Sequence, residues 1–463
     1  MRLRFDRGTI VLQGVPPDLP VAELPGLRWD PRVGLWRAPA YRYRALQAEL
    51  RRRRLTVDDE VAATAPSPAP WRPVSLRPYQ EAALDAWSLA GCRGVVALPT
   101  GSGKTRVAEA AIARSRLRTL CLAPTRALVD QWRGVLASSY GGPVGCYGDG
   151  VRVLQPVTVA TFESAYRHMA RLGDQFDLVV VDEAHHLEQG EREEALEMAV
   201  ARARLGLTAT PSRDPAASRR RARLIGPVVY ELGIADLAGT YLAELEYVIL
   251  PLDLTDQERR DYSACMAQFR PLYAALGPAA SRGSAASRGG WAELSRLARL
   301  LPEGRQALDA LRRARRLLAY TRAKADMLGA LLQRHRTSRV LVFTADNPTA
   351  YAVAREHLVA PLTCDVGRTE RREVLRRFRD GELRALVSTR VLNEGLDVPD
   401  ADVAVIVGGS AGAREHVQRV GRLLRPGDGK SAVVYELVTR GTLEVQQSRR
   451  RERGLAARVS APL

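Results

Sequence analysis

The sequence GVVALPTGSGKT at residues 94–105, followed by RVAEAAIARSR at 106–116, decides the fold of this chain. Its first six residues have the continuous apolar pattern of a strand buried in a parallel sheet, and the residues after Thr105 have the pattern of a helix. A glycine-rich turn between such a strand and helix can wrap its backbone N–H groups around a phosphate at the helix N-terminus. The stretch therefore predicts a phosphate-binding loop at the edge of a parallel α/β sheet.

The loop residues have separate predicted roles. Lys104 is placed to reach the β- and γ-phosphates of ATP, and the Thr105 hydroxyl is placed to ligate Mg²⁺. The strict form of this pattern has glycine where this chain has Leu98, so a glycine-rich turn before an ordinary helix is the alternative. We predict that the nucleotide is held by Thr100, Gly101, Ser102, Gly103, Lys104 and Thr105.

A second buried-strand pattern ends in two carboxylates, in LVVVDEAHH at residues 178–186. Ligands of open parallel sheets bind at the carboxyl ends of the strands, so Asp182 and Glu183 are expected beside the phosphate-binding loop. Asp182 is predicted to hold Mg²⁺, and Glu183 to orient or deprotonate the attacking water. The alternative is that the pair only caps the following helix. We expect His185 to couple this site to a second lobe and His186 to be structural.

Short apolar runs alternate with amphipathic segments over most of the chain, which is typical of parallel sheets covered by helices. The strands of a first sheet are predicted at 94–99, 119–124, 157–162, 178–183 and 205–210, and those of a second at 339–345, 385–389, 403–407 and 431–437. We predict an α/β fold of two parallel-sheet lobes with a helical insertion and a small α+β N-terminal domain. The expected division is an N-terminal domain at 1–62, an Ala/Pro linker at 63–75, lobe 1 at 76–254, the insertion at 255–325 and lobe 2 at 326–463. A mobile loop is expected at 277–290.

The net charge points to a polyanionic partner. The chain has 463 residues and a formal net charge of +18, and almost all of its 70 cationic residues are arginines, because only Lys104, Lys324 and Lys430 are lysines. Nucleic acid is the simplest partner for such a chain, and an acidic membrane surface is the weaker alternative. Five dispersed cysteines make a disulfide framework or a cysteine metal site unexpected. Without a signal peptide or an apolar span, we expect a soluble cytoplasmic protein that is not secreted and has no membrane partner.

Several motifs occur in an order that resembles the helicase and translocase ATPases of superfamily 2. The motifs are LRPYQ (76–80), LPTGSGKT (98–105), APTRALVDQW (123–132), TFESAY (161–166), DEAH (182–185), LTAT (207–210), STRVLNEGLDVP (388–399) and QRVGRLLRP (418–426). The resemblance covers residues 76–250 and 338–438. It implies two RecA-like lobes that use ATP and Mg²⁺ to track along a nucleic acid.

The resemblance also assigns roles to single residues. Adenine is read by Arg77 and Gln80. The tracked strand is contacted by Arg126, Thr161, Arg213 and Thr389, and the coupling residues are His185, Thr208, Thr210, Asp397 and Arg419. Arg422 and Arg425 share a helix face and are the predicted arginine fingers. Such a finger raises the rate of hydrolysis on the order of 10³–10⁵-fold. Gln418 fits a contact with a phosphate or a water. For Arg419, a surface salt bridge is the alternative to a contact with the lobe 1 carboxylates.

Within the superfamily, the closest likeness is to the XPB family of repair and transcription helicases, in its prokaryotic form. Residues 27–46 resemble its damage-recognition domain, 224–255 resemble the segment after LTAT, and 255–325 stand where the family has a thumb. The family's Arg-Glu-Asp element is shortened here to Arg213-Asp214. The likeness implies 3′→5′ polarity on duplex or forked DNA, a place in nucleotide excision repair, association with the nucleoid, and a nuclease partner.

Two arginine-rich runs, at 218–224 and 310–324, have two interpretations. A charge run is usually a solvated face, but in a translocase Arg312, Arg313 and Arg316 become candidate phosphate contacts. In the N-terminal domain, Trp29 and Trp36 alternate with arginines, a pattern of base stacking or of a small core. We expect both tryptophans to be core residues.

We therefore predict an ATP-dependent 3′–5′ DNA helicase or double-stranded DNA translocase. An RNA helicase on the same engine is the first alternative, and the N-terminal likeness argues against it. A nucleic-acid clamp or assembly factor with a weak ATPase is the second. Six residues suited to hydrolysis argue against that alternative: Lys104, Thr105, Asp182, Glu183, Arg422 and Arg425.

Overall fold

A computed structural model describes residues 1–61, 69–148, 150–189, 192–212, 214–237, 239–241, 244–282, 289–389, 401–408, 431–455 and 459–460. These residues form two compact units, one up to Leu232 and one from Gly233 onwards. Each unit is built around its own parallel sheet. No helix among the described residues combines the length and apolar character that a membrane crossing requires.

The N-terminal part of the first unit is a small α+β domain. Its elements are β1 (Arg2–Asp6), β2 (Thr9–Gln13), β3 (Arg28–Asp30), β4 (Leu35–Pro39), α1 (Tyr43–Arg52) and β5 (Asp58–Asp59). The strand order is β3-β4-β2-β1-β5. The first hairpin turns at Arg7-Gly8, where both residues have positive φ, as a two-residue hairpin turn requires. Its core contains Leu3, Ile10, Leu12 and Leu46.

The rest of the first unit is an eight-stranded sheet with helices between its strands. Its elements are α2 (Pro78–Leu89), β6 (Arg93–Ala97), α3 (Lys104–Ser115), β7 (Thr119–Ala123), α4 (Arg126–Ser139), β8 (Val144–Gly148), β9 (Val151–Val153), β10 (Val157–Thr161), α5 (Phe162–Leu172), β11 (Leu178–Val181), α6 (Glu194–Glu197), β12 (Ala203–Thr208), α7 (Pro215–Leu224) and β13 (Val228–Glu231). The strand order is β13-β6-β12-β11-β7-β10-β8-β9, and among the described strand pairs only β9 runs antiparallel to its neighbour. Residues of β7, β11 and β12 are buried throughout, which explains why their sequences are largely apolar. The buried Arg204 of β12 donates to the carbonyls of Ala199, Ala201 and Leu224.

The second unit contains a seven-stranded sheet. Its elements are α8 (Ile234–Leu237), β14 (Glu244–Leu252), α9 (Asp256–Arg282), α10 (Gly289–Leu300), α11 (Pro302–Ala319), α12 (Arg322–Arg334), β15 (Val340–Phe343), α13 (Asn347–His357), β16 (Ala360–Leu362), α14 (Arg368–Arg379), β17 (Ala385–Ser388), β18 (Val403–Ile406), β19 (Ser431–Thr439), α15 (Leu443–Leu455) and β20 (Val459–Ser460). The strand order is β16-β17-β15-β18-β19-β14-β20, with every described pair parallel.

One strand lies in a different sheet from the one that its position in the sequence suggests. We expected lobe 1 to extend to residue 254, but β14 pairs with β19 along all nine of its residues, from Glu244–Ser431 to Leu252–Thr439. The apolar pattern of β14 predicts a strand, but it carries no information about which sheet that strand joins. The division between the units therefore falls at Leu232 and Gly233 in the structure.

The insertion is a group of helices, α9, α10 and α11, that pack against one another around their own core. Tyr262, Met266 and Phe269 of α9 pack against Leu311 and Leu318 of α11. Of the loop expected at 277–290, residues 277–282 belong to α9 and residues 289–290 to α10, and the remaining positions lie outside the described residues. Alanines at positions 279 and 280 favour helix, because alanine has the highest helix propensity.

Candidate ATP site and nucleic-acid cleft

The phosphate-binding loop connects β6 to α3 in a conformation that needs glycine. Gly101 and Gly103 have φ of +85° and +80°. A Cβ atom on Gly103 would lie 2.5 Å from Nε2 of Gln80, so a larger residue would collide as well as strain the backbone. Because α3 begins at Lys104, the loop presents its N–H groups at the N-terminus of a helix, where an anion is stabilised.

The polar side chains of the loop are arranged around its carbonyl groups. Lys104 donates from Nζ to the carbonyls of Leu98 and Pro99 at 3.2 and 3.3 Å. The Ser102 hydroxyl donates to the Pro99 carbonyl at 2.6 Å, whereas the buried Thr100 hydroxyl has no hydrogen-bond partner among the described residues. Long bonds to neutral carbonyls leave the ammonium group able to exchange them for charged phosphate oxygens.

The element predicted to read adenine is tied to this loop. Gln80 donates from Nε2 to the Ser102 carbonyl at 2.8 Å and accepts at Oε1 from the Arg77 backbone N–H at 2.9 Å. Tyr79, which the sequence analysis did not single out, donates its hydroxyl to the same Ser102 carbonyl at 2.6 Å. The element therefore lies beside the loop, while base reading by Arg77 and Gln80 stays a prediction.

Asp182 lies at the end of β11 and is buried. Its Oδ2 accepts from the indole N–H of Trp132 at 2.8 Å, and its Oδ1 accepts from the Glu183 backbone N–H at 3.0 Å. Burial and the neighbouring Glu183 carboxylate raise the pKa of Asp182 above its ordinary value. Because these effects disfavour the ionised form of Asp182, a nearby cation would stabilise its negative charge.

Glu183 is held in an unusual backbone conformation. Its φ is +47°, a value that is rare for a residue with a side chain and that often occurs at functional sites. Burial alone would raise the pKa of Glu183, but the contact with His185 and the positive charge of Lys104 outweigh it and lower the pKa. The carboxylate is therefore ionised and can accept a hydrogen bond from water.

His185 joins the carboxylates to the end of β12. Its Nδ1 lies 3.3 Å from Oε2 of Glu183 and 3.3 Å from Oγ1 of Thr208. Thr208 also accepts the Thr210 backbone N–H at Oγ1 at 3.2 Å, and its carbonyl accepts the Leu98 N–H at 3.0 Å. These predicted coupling residues thus form a chain of polar contacts from Glu183 to the phosphate-binding loop. His186 stacks on His185 with ring centroids 4.5 Å apart.

Thr105 and Asp182 are suitable ligands for a magnesium ion. Mg²⁺ is usually held by one or two protein oxygens, and the remaining ligands are waters and substrate phosphates. Thr105 and Asp182 supply a hydroxyl and a buried carboxylate for such a site. The raised pKa of Asp182 shows a carboxylate whose charge a divalent cation would stabilise.

A cleft lies at the ends of the neighbouring strands β7 and β10. It has a volume of about 520 Å³, and its lining includes both Arg126, which begins α4, and Thr161, which caps α5. Arg152 and Arg167 add positive charge, although Glu163 pairs with Arg167 at 2.7 Å. Two helix N-termini and several arginines make this cleft suitable for phosphate groups.

The other predicted DNA contacts are more scattered. In α11, Arg312 pairs with Asp309, Arg313 donates to Gln268 at 3.1 Å, and Arg316 is exposed. Thr389 is buried and donates to Asn347 at 3.0 Å. Six predicted site residues lie outside the described residues: Arg213, Asp397, Gln418, Arg419, Arg422 and Arg425.

The arginine run at 218–224 is largely engaged within the protein. Arg220 and Arg223 pair with Glu193 and Glu197, each at 3.0 Å. Arg221 is buried and donates to the Ser212 carbonyl at 3.2 Å. These contacts favour the interpretation of the run as a structural feature over that of a phosphate-tracking surface.

The expectation that Trp29 is a core residue is wrong. Its side chain is 51% exposed, because β3 is an edge strand, whereas Trp36 packs against the domain core. Trp29 lines a groove of about 580 Å³ that also includes Arg28, Tyr41 and, from α7, Arg223. Exposed aromatic rings among arginines can stack on bases while the arginines bind phosphates.

Trp132 is the main site residue that the sequence analysis missed. Val129, Trp132 and Leu136 are spaced as one apolar helix face, so burial of the indole was predictable. A buried tryptophan normally needs a partner for its N–H group, but the sequence does not identify Asp182 as that partner.

Three family models match separate parts of the chain. Residues 3–61 match the family model of the Xeroderma pigmentosum group B helicase damage recognition domain. Residues 73–213 match the model described as type III restriction enzyme, res subunit, and residues 323–427 match the helicase conserved C-terminal domain.

Solved structures with a similar fold include helicases of low sequence identity. The Pyrococcus furiosus Hef helicase domain covers 81% of this chain with 97% of its own length, at a TM-score of 0.53 and 21% identity. Saccharomyces cerevisiae Dbp5 covers 83% of this chain with 89% of its own length, at a TM-score of 0.54 and 17% identity. The predicted α/β fold with two RecA-like lobes is confirmed.

Curated relatives show the family. The chain is 31% identical over 397 residues to the DNA 3′-5′ helicase XPB of Mycobacterium tuberculosis, covering 82% of this chain and 64% of that protein. It is 34% identical over 449 residues to the DNA 3′-5′ translocase XPB2 of Sulfurisphaera tokodaii, covering 97% of this chain and 99% of that protein. An identity of this level along nearly the whole of both chains shows that the protein belongs to the XPB family of DNA 3′–5′ helicases and translocases.

Proposed function

We propose that this protein is an ATP-dependent 3′–5′ DNA translocase that opens duplex or forked DNA in nucleotide excision repair. One observation carries the proposal. At a single edge of the first sheet, the adjacent strands β6, β12, β11, β7 and β10 end in turn at the phosphate loop, Thr208, Asp182, Arg126 and Thr161. Along this edge, the residues suited to binding ATP thus lie next to the residues suited to binding a nucleic-acid backbone.

ATP binding relies on the phosphate loop. The N–H groups of the loop and the N-terminus of α3 bind the phosphates, and Lys104 exchanges its carbonyl contacts for phosphate oxygens. Arg77 and Gln80 contact the base from the side of α2. Mg²⁺, held by Thr105 and Asp182, would neutralise charge on the phosphates.

Hydrolysis relies on Glu183, which orients the water that attacks the γ-phosphate of ATP. A carboxylate with a lowered pKa is a weak base, so Glu183 acts mainly by orienting the water through a hydrogen bond. Its contact with His185 fixes the carboxylate and connects it to Thr208. From lobe 2, we propose Arg422 and Arg425 as the fingers that stabilise charge on the transferred phosphoryl group, with Gln418, Arg419 and Asp397 assisting.

DNA binding involves more than the cleft on lobe 1. We propose that the N-terminal domain, residues 1–62, contacts DNA through the groove at Trp29, and that the insertion at 255–325 contacts it through Arg312, Arg313 and Arg316. Arg213 and Thr389 are further proposed contacts. Such a protein would be located on the nucleoid.

We further propose a nuclease partner. The likeness to prokaryotic XPB relatives implies such a partner, and the described residues hold no cluster of three or more His, Cys, Asp or Glu side chains that could bind a metal ion. Incision of the opened DNA would then fall to another protein. Co-purification of a nuclease that incises DNA only when this protein hydrolyses ATP would support this proposal.

The direction of movement is tested with partial duplexes that carry either a 3′ or a 5′ single-stranded tail. We expect ATP-dependent strand separation from the 3′-tailed duplex, with loss of activity in Glu183→Gln. A preference for the 5′ tail, or no strand separation despite DNA-stimulated hydrolysis, would overturn the proposed activity. The same tails made of RNA distinguish an RNA helicase.

A further inference from the structure

One helix connects the nucleic-acid cleft with the ATP site. Helix α4 begins at Arg126 in the cleft, and six residues later its Trp132 donates the indole N–H to Oδ2 of Asp182 at 2.8 Å. Six residues span about 9 Å along a helix. A single rigid element therefore touches both places.

The helix and the carboxylate are also fixed to the same strand. Helix α4 follows β7 after only Pro124 and Thr125, and Thr125 caps it by accepting the Leu128 N–H. Asp182 is joined to β7 through its backbone N–H, which donates to the Leu122 carbonyl at 2.9 Å. The indole bond thus closes a short loop of contacts between β7, α4 and Asp182.

We infer that Trp132 is a positioning residue that couples DNA binding to ATP hydrolysis by orienting the Asp182 carboxylate. Each Asp182 oxygen accepts one N–H, from Trp132 and from the Glu183 backbone, so the indole is the one side-chain group among these two donors that orients the carboxylate. A phosphate that binds at the N-terminus of α4 shifts this helix slightly, and the shift reaches Asp182 through the indole. The inference rests on the proposed function.

Removal of the N–H group should weaken metal-dependent steps and their response to DNA. Mutation of a residue that orients a metal ligand typically lowers metal affinity or activity by about 10- to 100-fold. We therefore expect Trp132→Phe to raise the Mg²⁺ concentration needed for half-maximal hydrolysis, and to reduce stimulation by DNA, by about tenfold or more. DNA affinity without nucleotide should not change, because Trp132 is buried.

Trp87 provides a matched control in the same unit. It is buried to the same 2% exposure as Trp132, and its indole N–H donates to the Arg204 carbonyl at 2.9 Å, away from both sites. Trp87→Phe removes the same group from a similar environment. It should lower the melting temperature about as much as Trp132→Phe and leave the Mg²⁺ dependence and the DNA stimulation as in the unchanged protein.

The experiment measures four quantities for each variant: the melting temperature, DNA affinity, Mg²⁺-dependent binding of a non-hydrolysable ATP analogue, and ATP turnover with and without duplex DNA. An analogue of tryptophan with sulfur in place of the indole N–H, introduced at position 132 alone, retains the ring shape if Trp132→Phe folds poorly. Equal DNA stimulation and Mg²⁺ dependence in Trp132→Phe and Trp87→Phe would overturn the inference. Absence of DNA stimulation in the unchanged protein would instead contradict the proposed function.

Discussion

Gln80 packs so closely on Gly103 that a Cβ atom there would lie 2.5 Å from the Gln80 side-chain nitrogen. The same nitrogen donates to the Ser102 carbonyl, so α2 and the phosphate loop are fitted to each other. The contact explains why the loop needs glycine at position 103 independently of any bound phosphate.

We predict that Gly103→Ala weakens ATP-analogue binding and lowers the free energy of unfolding by about 1–3 kcal/mol, because it adds a collision to a positive φ. Gly134→Ala, in the middle of α4, is the control, since its Cβ atom meets nothing within 4 Å. That change should raise stability by roughly 0.5–1 kcal/mol. Denaturant titration and nucleotide fluorescence measure both effects, and normal nucleotide binding by Gly103→Ala would contradict the assignment of the loop.

Glu183→Gln should retain ATP binding and lose about 10²–10⁴-fold in turnover, because an amide cannot replace the ionised carboxylate that orients water. Glu81→Gln makes the same change on α2, where Glu81 pairs with Arg114 on the surface. It should turn over ATP like the unchanged protein. Steady-state hydrolysis with duplex DNA separates the two, and equal rates would remove Glu183 from the mechanism.

The sequence predicted the parts of the fold that local pattern determines. The phosphate loop and the five predicted strands of the first sheet lie where their patterns placed them, whereas β8, β9 and β13 were not predicted. The partner of a strand is set by tertiary packing instead, and so β14 was expected in the first lobe although it pairs with β19.

Side-chain partners that are distant in sequence were not predictable either. Nothing near Trp132 identifies Asp182, which is 50 residues away. The pairing of Arg223 with Glu197 depends on the packing of α7, so a charge run alone could not show which of its arginines are engaged. Trp29 was misjudged because the pattern does not show that β3 is an edge strand.

Arg126→Ala should weaken binding to all DNA sequences by a similar factor, because it removes one phosphate contact. It should also reduce the magnitude of the slope of log K for DNA binding against log[salt] by about one. Arg133→Ala changes an exposed arginine of the same helix that does not line the cleft. Its binding and salt slope should match those of the unchanged protein. An unchanged slope in Arg126→Ala would exclude the cleft as a phosphate site.

Trp29→Ala should weaken DNA binding by about 1–3 kcal/mol if its exposed ring stacks on a base. Leu89→Ala removes another exposed apolar side chain, far from the groove in sequence and on a different element, and should not affect binding. Fluorescence anisotropy with forked DNA measures both variants. Equal affinities would make the groove a structural feature only.

Glu444→Gln should lower the free energy of unfolding by about 3–5 kcal/mol, because it leaves the buried Lys324 ammonium without its carboxylate. Burial already lowers the pKa of Lys324, so the loss of this partner lowers it further. Glu382→Gln breaks an exposed pair with Arg376 and should cost less than about 1 kcal/mol. Denaturant unfolding distinguishes the two, and similar small losses would show that the buried pair contributes little.

The central claim is that DNA binding drives ATP turnover in this protein. The most direct test compares ATP hydrolysis in the presence of duplex DNA, forked DNA, single-stranded DNA and RNA, with Lys104→Ala as the inactive reference. We predict that duplex or forked DNA raises turnover well above the rate without nucleic acid, that RNA does not, and that Lys104→Ala abolishes turnover. Stimulation by RNA alone, or an undiminished rate in Lys104→Ala, would contradict the account.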